Sequence, residues 1–398
     1  MAGFFPVFFK QYWSSGSSAV QSTFHLGAAN SAASLVVVIL APLLGSFADQ
    51  GGGKKRLLLL FTLLGVLATA ALFLVGEGEW RSALGLYVLA TIGFSAGIVF
   101  YDALLVDVSA GRRLDFVSGL GYACGYLGGG LLFAFCVGLT LHPHWFGLPD
   151  AAGAVRWSFL LTAGWWALFS LPLFLLVRER VSPRAGIGLL QSGRAALRQL
   201  AGTLAELRRL RVVALFLLSY WLYIDGVDTI IKMAVDYGMA LGFDSGDLML
   251  ALLLTQFVGF PAALLFGLLG ERIGAKRGIY IAIGVYFGVV IWASRMESAW
   301  EFYALAVVIG LVQGGIQSLS RSFYARIIPT DKAGEFFGFY NMLGRFAAIF
   351  GPLLMGWVGV LSGSPRLSIL AVALLFALGL LLLLFVDEEK GRRMARSL

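Results

Sequence analysis

Eleven apolar runs, each about 20 residues long, constrain the fold of this chain more than any other feature of its sequence. A helix that crosses a bilayer needs ~20 consecutive, mostly apolar residues. The runs are continuous rather than alternating, which excludes a transmembrane β-barrel. Charged residues make up only 13% of the chain, whereas a soluble domain carries about 25%. The sequence therefore predicts an all-α polytopic membrane protein, with spans at 24–48, 56–75, 83–106, 116–139, 157–177, 211–235, 247–269, 277–294, 302–324, 335–360 and 367–386.

The lysines and arginines are divided unequally between the two sets of alternating loops. One set, together with the carboxyl-terminal tail, contains 22 of them, and the other set contains five. Basic loops stay in the cytoplasm, so we expect a multi-pass protein of the cell (inner) membrane with a cytoplasmic carboxyl terminus. The same asymmetry accounts for the net charge of +8 without a nucleic-acid partner.

The longest polar stretch separates two groups of spans. Its leucines recur on one face and its arginines lie elsewhere, which is typical of a basic amphipathic helix on the inner membrane surface, although a solvated linker helix fits equally well. We therefore predict a first helical half at 1–177, a cytoplasmic linker with an amphipathic helix at 178–210, a second half of six helices at 211–386, and a cytoplasmic tail at 387–398.

An internal repeat relates the two halves. Two glycines, an acid and a basic pair recur at a constant offset in cytoplasmic loops, as Gly45, Asp49, Gly52, Lys54 and Lys55 and again as Gly267, Glu271, Gly274, Lys276 and Arg277. The first glycine allows two helices to approach closely. The acid can bind cationic side chains or the amino-terminal end of a neighbouring helix, and the basic pair is expected to anchor the loop at the inner leaflet. The repeat predicts two gating loops that hold the halves together on the inside.

The repeated loop resembles the signature loop of the major facilitator superfamily. A closer resemblance, to its vacuole-effluxer branch of autophagy-related vacuolar amino-acid exporters, rests on Tyr223, Asp225-Gly226, Thr229-Ile230-Ile231, Gln317, Ser320 through Arg326, Pro329, Glu335 through Asn341, and Gly351-Pro352. The resemblance implies a major facilitator fold of two six-helix halves and secondary active transport by alternating access. It also implies small polar solutes, amino acids among them, as substrates and protons as the coupling ion. The chain departs from the pattern at Gln50 and Gly53, where basic residues are common, and at Asp102, where asparagine is expected.

The repeat also bears on the amino terminus. Subtracting the offset from the start of the seventh helix, near Arg211, gives a position before Met1. We therefore expect a twelve-helix plan with a truncated first helix, in a chain that is shortened at its amino terminus or has a mis-assigned start.

Ionisable and amide side chains inside spans are costly and therefore mark functional sites. Asp225, Asp228 and Lys232 share one face of the seventh helix. An ion pair of Asp228 with Lys232 near the outer rim is the alternative for that end of the helix. Arg345 is expected either to bind an anionic substrate or to pair with an acid on a neighbouring helix. The predicted substrate and proton pathway consists of Asp102, Asp225, Asp228, Gln313, Gln317, Arg321, Asn341 and Arg345.

The leading interpretation is a monomeric secondary transporter of a small polar solute, in contact with membrane lipids and coupled to protons. A lipid-handling transporter or scramblase, which would need a lateral cationic track, and a non-transporting membrane sensor are the alternatives. An enzyme is not expected, because no span carries a metal-ligand cluster or a nucleophile with its base. His142 and His144 alone do not make a metal site, and the Gly51–Lys54 run lacks the Ser or Thr of a nucleotide loop, so we expect no metal and no cofactor.

Overall fold

The computed structural model describes residues 4–16, 19–49, 53–109, 113–179 and 210–396, and these residues form a bundle of long helices. In chain order the helices are α1 Phe5–Phe8, α2 Ala19–Phe47, α3 Lys54–Ala71, α4 Trp80–Ser109, α5 Leu114–Leu141, α6 Ala151–Leu176, α7 Arg211–Ala240, α8 Ser245–Ile273, α9 Ala275–Ala293, α10 Ala299–Ile327, α11 Ala333–Ser362, α12 Pro365–Leu384 and α13 Glu388–Arg396.

Within those ranges, eleven helices, α2 to α12, are long and apolar enough to cross a membrane. The predicted spans are therefore confirmed in number and position. Most helices extend beyond the predicted runs, as α4 does at both ends of its predicted span of 83–106. The apolar run marks only the part of a helix inside the hydrocarbon, and the helix continues into the headgroup region.

Several helix ends follow directly from local sequence. Asp150 accepts a hydrogen bond from the Gly153 N–H at 2.7 Å and begins α6, while Ser298 forms a capping box at the start of α10. Gly53 and Gly274, with φ of 77° and 92°, precede α3 and α9. A side chain at either glycine would be strained in this backbone conformation.

The segment before α2 is too short to cross a bilayer. It consists of α1 and a π-helical turn over Phe9–Trp13, and it buries Phe5, Phe9 and Trp13 against α6 and α4. The Trp13 indole N–H donates to the Val75 carbonyl at 3.3 Å, at the far end of α3 from Lys54. Aromatic packing thus fixes this segment at one end of the bundle.

Contacts between the two predicted halves are made chiefly by α2 with α11 and by α5 with α8, supported by α4 with α11 and α5 with α10. Within the second half, α7 packs on α11 and α12, and α8 packs on α10. Most of the predicted linker, with its amphipathic helix, lies outside the described residues, so the domain boundaries remain predictions. The residues that carry the candidate site lie along the contacts between the halves.

Candidate functional site

The two repeated acids bind helix ends in the opposite half. Asp49, just beyond α2, accepts hydrogen bonds from the backbone N–H groups of Gly334 at 3.0 Å and Glu335 at 2.8 Å, in the first turn of α11. These groups have no acceptor inside their own helix, and the positive end of the helix dipole favours a carboxylate there. Asp49 therefore fastens α2 to α11.

Glu271, near the end of α8, makes the equivalent contact with α5. Its Oε1 atom accepts from the N–H groups of Asp115 at 2.9 Å and Phe116 at 3.2 Å, in the first turn of α5. The internal repeat thus relates the two latches, since each half supplies one acid and one helix end. We call the end of the bundle that carries both latches the basic end, because the loops there contain Lys54, Lys55, Lys276 and Arg277.

Glycine seams run beside both latches and bring the helix backbones into contact. A Cβ atom at Gly45 would lie 2.1 Å from the Gly334 carbonyl oxygen, and one at Gly338 would lie 2.6 Å from the Ala41 oxygen. In the α5–α8 pair, a Cβ at Gly119 would lie 2.7 Å from the Ala263 oxygen, and one at Gly267 would lie 3.0 Å from the Asp115 oxygen. Only glycine permits this packing, so the basic end is closed along two helix pairs.

Two lysines of the repeat bind backbone carbonyls at neighbouring helix ends, and the anchoring of the loops at the inner leaflet stays a prediction. Lys55 Nζ donates to the Phe174 and Val177 carbonyls at the end of α6, and Lys276 Nζ donates to the Leu384 and Val386 carbonyls at the end of α12. Carbonyls at a helix end lack partners and attract cations.

These contacts also correct the register of the repeat, because Lys55, and not Lys54, is the structural counterpart of Lys276. The first loop thus has one more residue after its acid. Lys54 pairs with Asp107 at 3.1 Å. Arg277 is exposed, and Gly52 lies outside the described residues.

A buried ion pair joins the halves above the latches. Asp102 of α4 contacts Arg321 of α10, with 3.0 Å between Oδ1 and Nη1, and its Oδ2 accepts from the Asn341 amide of α11 at 3.0 Å. Arg321 also donates to the Ser118 side chain and carbonyl in α5, both at 3.0 Å. Asp102, Arg321 and Asn341, predicted separately, therefore form one network on four helices.

Aromatic rings enclose the Arg321 guanidinium. Its central carbon lies 5.4 Å from the Tyr101 ring centroid and 4.7 Å from that of Tyr122, within the range of a cation–π contact. Only 4% of Arg321 is exposed. The guanidinium borders a cavity of about 600 Å³, which Asp102, Tyr122, Tyr126 and Gln317 also line.

The predicted glutamine stripe of α10 lies along this cavity and its neighbour. Gln317 accepts a hydrogen bond from the Tyr126 hydroxyl at 3.1 Å. Gln313 borders a smaller, mostly apolar cavity of about 90 Å³ within the second half, and Gln256 lines both cavities. The two spaces therefore adjoin at Gln256.

The carboxylates of α7 occupy different environments. Asp225 is 1% exposed and accepts the Gly351 N–H of α11 at 2.9 Å, immediately before Pro352 interrupts the hydrogen bonds of that helix. The backbone of α11 thus binds Asp225 inside the second half, and its place in the substrate and proton pathway stays a prediction. Asp228, one turn further along α7, acts electrostatically on tyrosines of both halves, on Tyr122 and Tyr126 in the first and on Tyr220 and Tyr286 in the second.

Basic groups surround Asp228. The charges of Lys232 and Arg345 both act on it. Arg345, on α11, donates a short hydrogen bond to the Ser95 hydroxyl of α4 and so reaches across to the first half. Asp228, Lys232 and Arg345 thus place one negative and two positive charges near the boundary between the halves.

The polar groups are stacked in layers above the basic end. At 1.5 Å per helical residue, Arg321 and Asp102 lie ~10 Å from the ends of their helices, Gln317 ~15 Å, Arg345 ~18 Å and Asp228 ~25 Å. The latches therefore close the bundle beneath the ion pair, the ion pair borders the cavity, and the charges of α7 and α11 lie further from the basic end.

Several residues of the site were not predicted from sequence. Ser118 and Ser95 are common helix residues whose role depends on a partner more than 200 positions away. Asp115 binds Arg326 at 2.7 Å and Ser322 at 2.5 Å. Its position next to the Arg112–Arg113 loop suggests an ordinary helix-end acid. The only sequence signal available was its place as the first acid of α5, opposite the repeated Glu271.

Burial perturbs the acid–base behaviour of one latch. It raises the pKa of Asp49 to about 7, against the opposing effects of the Lys54 charge and of the N–H groups of Glu335 and Gly334. The Asp49 latch thus gains or loses a proton near neutral pH.

The sequence matches a model of the family described as vacuole effluxer Atg22 like, over residues 12–110 and 107–396. It is 38% identical over 387 residues to an uncharacterized MFS-type transporter, YxiO, of Bacillus subtilis, which covers 97% of this chain and 90% of that protein. It is 28% identical over 304 residues to autophagy-related protein 22-1 of Aspergillus niger, covering 71% of this chain and 48% of that protein. The match thus spans about half the length of the fungal relative.

Solved structures show the same fold at low sequence identity. The human organic anion transporter MFSD10 (TETRAN) superposes with a TM-score of 0.71 at 16% identity, covering 95% of this chain and 93% of that one. The proton:xylose symporter XylE superposes with a TM-score of 0.71 at 13% identity, covering 97% and 92%.

Proposed function

Since the chain belongs to the vacuole effluxer Atg22-like family of major facilitator transporters, we propose that it is a secondary active transporter that moves a small polar solute by alternating access. Family membership makes the chain a membrane transporter and not an enzyme. We propose below the class of solute and the coupling ion, and we propose the cell membrane as the location of the protein.

The observation that carries the proposal is the asymmetric closure of the bundle. Both acid latches and both glycine seams lie at the basic end, near the buried Asp102–Arg321 ion pair and the cavity that this pair borders. With the basic end in the cytoplasm, this is an outward-facing state. Opening inward requires both latches and the Asp102–Arg321 pair to break, because each joins one half to the other.

The charges above the cavity support an amino acid as the solute. Arg345 and Lys232 can bind a carboxylate, and Asp228 can bind an ammonium group, so a zwitterion would find partners for both of its charges. The resemblance to vacuolar amino-acid exporters favours the same class. A polar solute entering from the open end would meet these charges before reaching Tyr126, Gln317 and the ion pair.

Asp228 is the better candidate for proton coupling, because the charges of Lys232 and Arg345 act on it, while Asp225 is held by the backbone of α11. Net uptake of a radiolabelled amino-acid mixture into proteoliposomes, with and without an imposed pH gradient, tests both parts of the proposal. Asp228→Asn should abolish the response to the gradient, whereas Glu77→Gln, at an exposed loop acid, should behave as the parent. Gradient-independent transport by the parent would remove proton coupling, and no transport of any amino acid would remove the substrate class.

The lipid-handling alternative has less support. It needs a cationic track along the side of the bundle, with Arg321 and Arg345 as its members. Arg321 is enclosed by Asp102, Ser118 and two tyrosines, so it is not available to a passing headgroup.

A further inference from the structure

The short helix after the last span, α13, has two chemically different sides. Asp387 precedes it and accepts the Lys390 N–H at 3.0 Å. Gly391 and Met394 face the bundle, with Gly391 buried and Met394 packed on the main hydrophobic core. The exposed side carries Lys390, Arg393 and Arg396, together with Glu389 and with Arg392, which pairs with Glu388 of the same helix.

Packing fixes α13 at the basic end of the bundle. A Cβ atom at Gly391 would lie 2.9 Å from Ile327, the last residue of α10, and 3.1 Å from Val212, the second residue of α7. Only three residues separate α13 from α12, and Lys276 binds the Val386 carbonyl in this connection at 2.6 Å. The helix therefore lies across the ends of membrane-spanning helices, at the height of the lipid headgroups.

The inward side of α13 is linked to the closed end of the bundle. Glu388 lies 3.9 Å from Arg326 of α10, and Arg326 in turn binds Asp115 of α5 at 2.7 Å. The Asp115 N–H, in the first turn of α5, is one of the two groups that donate to Glu271. A chain of charges thus leads from α13 across both halves at the α5–α8 latch.

We propose that α13 is a binding surface for anionic phospholipid headgroups, and that bound anionic lipid stabilises the closed basic end through Glu388, Arg326 and Asp115. The exposed cations supply the charge that attracts an anionic leaflet. The buried side of the helix already has its partners in α7 and α10, so the cationic side alone remains for the membrane.

The protein's own cations provide the matched comparison. Arg393→Gln with Arg396→Gln removes two exposed charges from α13 and preserves helix propensity. Arg56→Gln with Arg272→Gln removes two exposed charges beside the two repeated loops, in α3 and α8, at the same end of the bundle. Both double variants lower the net charge of the protein by the same amount, so an effect of net charge alone would be equal in the two variants.

Binding is measured by the rise in thermal unfolding temperature as short-chain phosphatidylglycerol is added to the purified full-length protein in neutral detergent, with phosphatidylcholine as the reference lipid. A Lys or Arg near an anionic surface contributes about 1 kcal/mol, so the α13 variant should bind phosphatidylglycerol roughly 30-fold more weakly. The loop variant should bind it as the parent does. Equal affinity of the parent and the α13 variant, or an equal loss in both variants, would overturn the proposal, as would competition by inorganic phosphate at a similar concentration.

A second measurement tests the link to the closed end and rests on the proposed alternating access. In nanodiscs of phosphatidylcholine, adding an equal share of phosphatidylglycerol should shorten the mean distance between spin labels at Arg56→Cys and Arg277→Cys in the parent but not in the α13 variant. Both leaflets carry the same lipid, so the result does not depend on orientation. Lipid binding without a change in distance would overturn the stabilising role, whereas failed transport with intact lipid binding would bear only on the proposed function.

Discussion

Arg321 is the residue whose charge most needs a partner. It is almost completely buried, and its anionic contact is Asp102 in the other half. Removing one member of a buried ion pair leaves an unpaired charge in a low-dielectric interior and costs about 3–5 kcal/mol. Replacing both can be nearly neutral, because no charge remains to be desolvated.

We therefore expect Asp102→Asn to destabilise the purified protein by about 3–5 kcal/mol and Asp102→Asn with Arg321→Gln to recover most of that loss. Equilibrium unfolding in detergent provides the measurement. Arg392→Gln is the control, because Arg392 and Glu388 form an exposed pair within one helix, which is worth about 0–1 kcal/mol. A double variant as unstable as Asp102→Asn would show that the network acts through its hydrogen bonds more than through its charges.

The Asp49 carboxyl predicts how the stability of the closed state depends on pH. Its pKa of about 7 in the latched state exceeds the ordinary value of about 3.9, so the latched state binds a proton more tightly than a state with Asp49 in water. The stabilisation is fully present below pH ~4 and is lost as the pH rises through ~7, by at most about 1.4 kcal/mol per pH unit. Thermal unfolding between pH 4 and 8 should show this slope in the parent and a shallower one in Asp49→Asn. An unchanged slope in the variant would assign the pH dependence to another group.

At the scale of elements, the glycine seams determine how closely the helix pairs approach. A methyl group at Gly45 would meet the backbone of Gly334, which cannot rotate away. A methyl group at Gly27, in the same helix, would have no neighbouring atom within 4 Å. Overpacking costs about 1–3 kcal/mol, and at Gly45 that cost falls only on the closed state.

Gly45→Ala should therefore open the basic end, and Gly27→Ala should not. Spin labels on Arg56→Cys and Arg277→Cys, with Cys124 and Cys136 replaced by serine, report the separation of the halves. We expect a longer mean distance in Gly45→Ala and the parental distance in Gly27→Ala. Equal distances in all three proteins would mean that α2 and α11 separate elsewhere.

Features that depend on neighbouring residues could be predicted from the sequence, whereas most contacts between distant positions in the chain could not. Apolar runs are local, so the eleven spans follow from the sequence alone. The Asp49 and Glu271 latches follow in part, because a repeat carries information across the chain. The partners of Arg321 do not, since nothing in the sequence near Ser118 indicates that it faces α10. The partner of Asp225 does not follow from the sequence either, because its hydrogen-bond donor, the Gly351 N–H, lies 126 positions away.

At the scale of the whole molecule, one property decides which state the bundle represents, namely the side of the membrane on which the basic end lies. The loops at that end and the tail contain 22 of the 30 lysines and arginines, against five in the alternate loops. Basic residues are retained on the cytoplasmic side during insertion. With the basic end in the cytoplasm, the closed latches belong to the outward-facing state that we propose.

Single cysteines at the two ends test this orientation directly. Arg393→Cys lies on α13 at the basic end, and Arg295→Cys lies in the loop between α9 and α10 at the opposite end, and both native positions are exposed. In intact cells that lack the native cysteines, a membrane-impermeant maleimide should label Arg295→Cys at once and Arg393→Cys only after permeabilisation. The reverse pattern would place the latches outside, and the same contacts would then describe an inward-facing transporter whose outer gate is closed. Because the latches, the seams and the ion pair are fixed relative to one another, this single measurement assigns a direction to all of them.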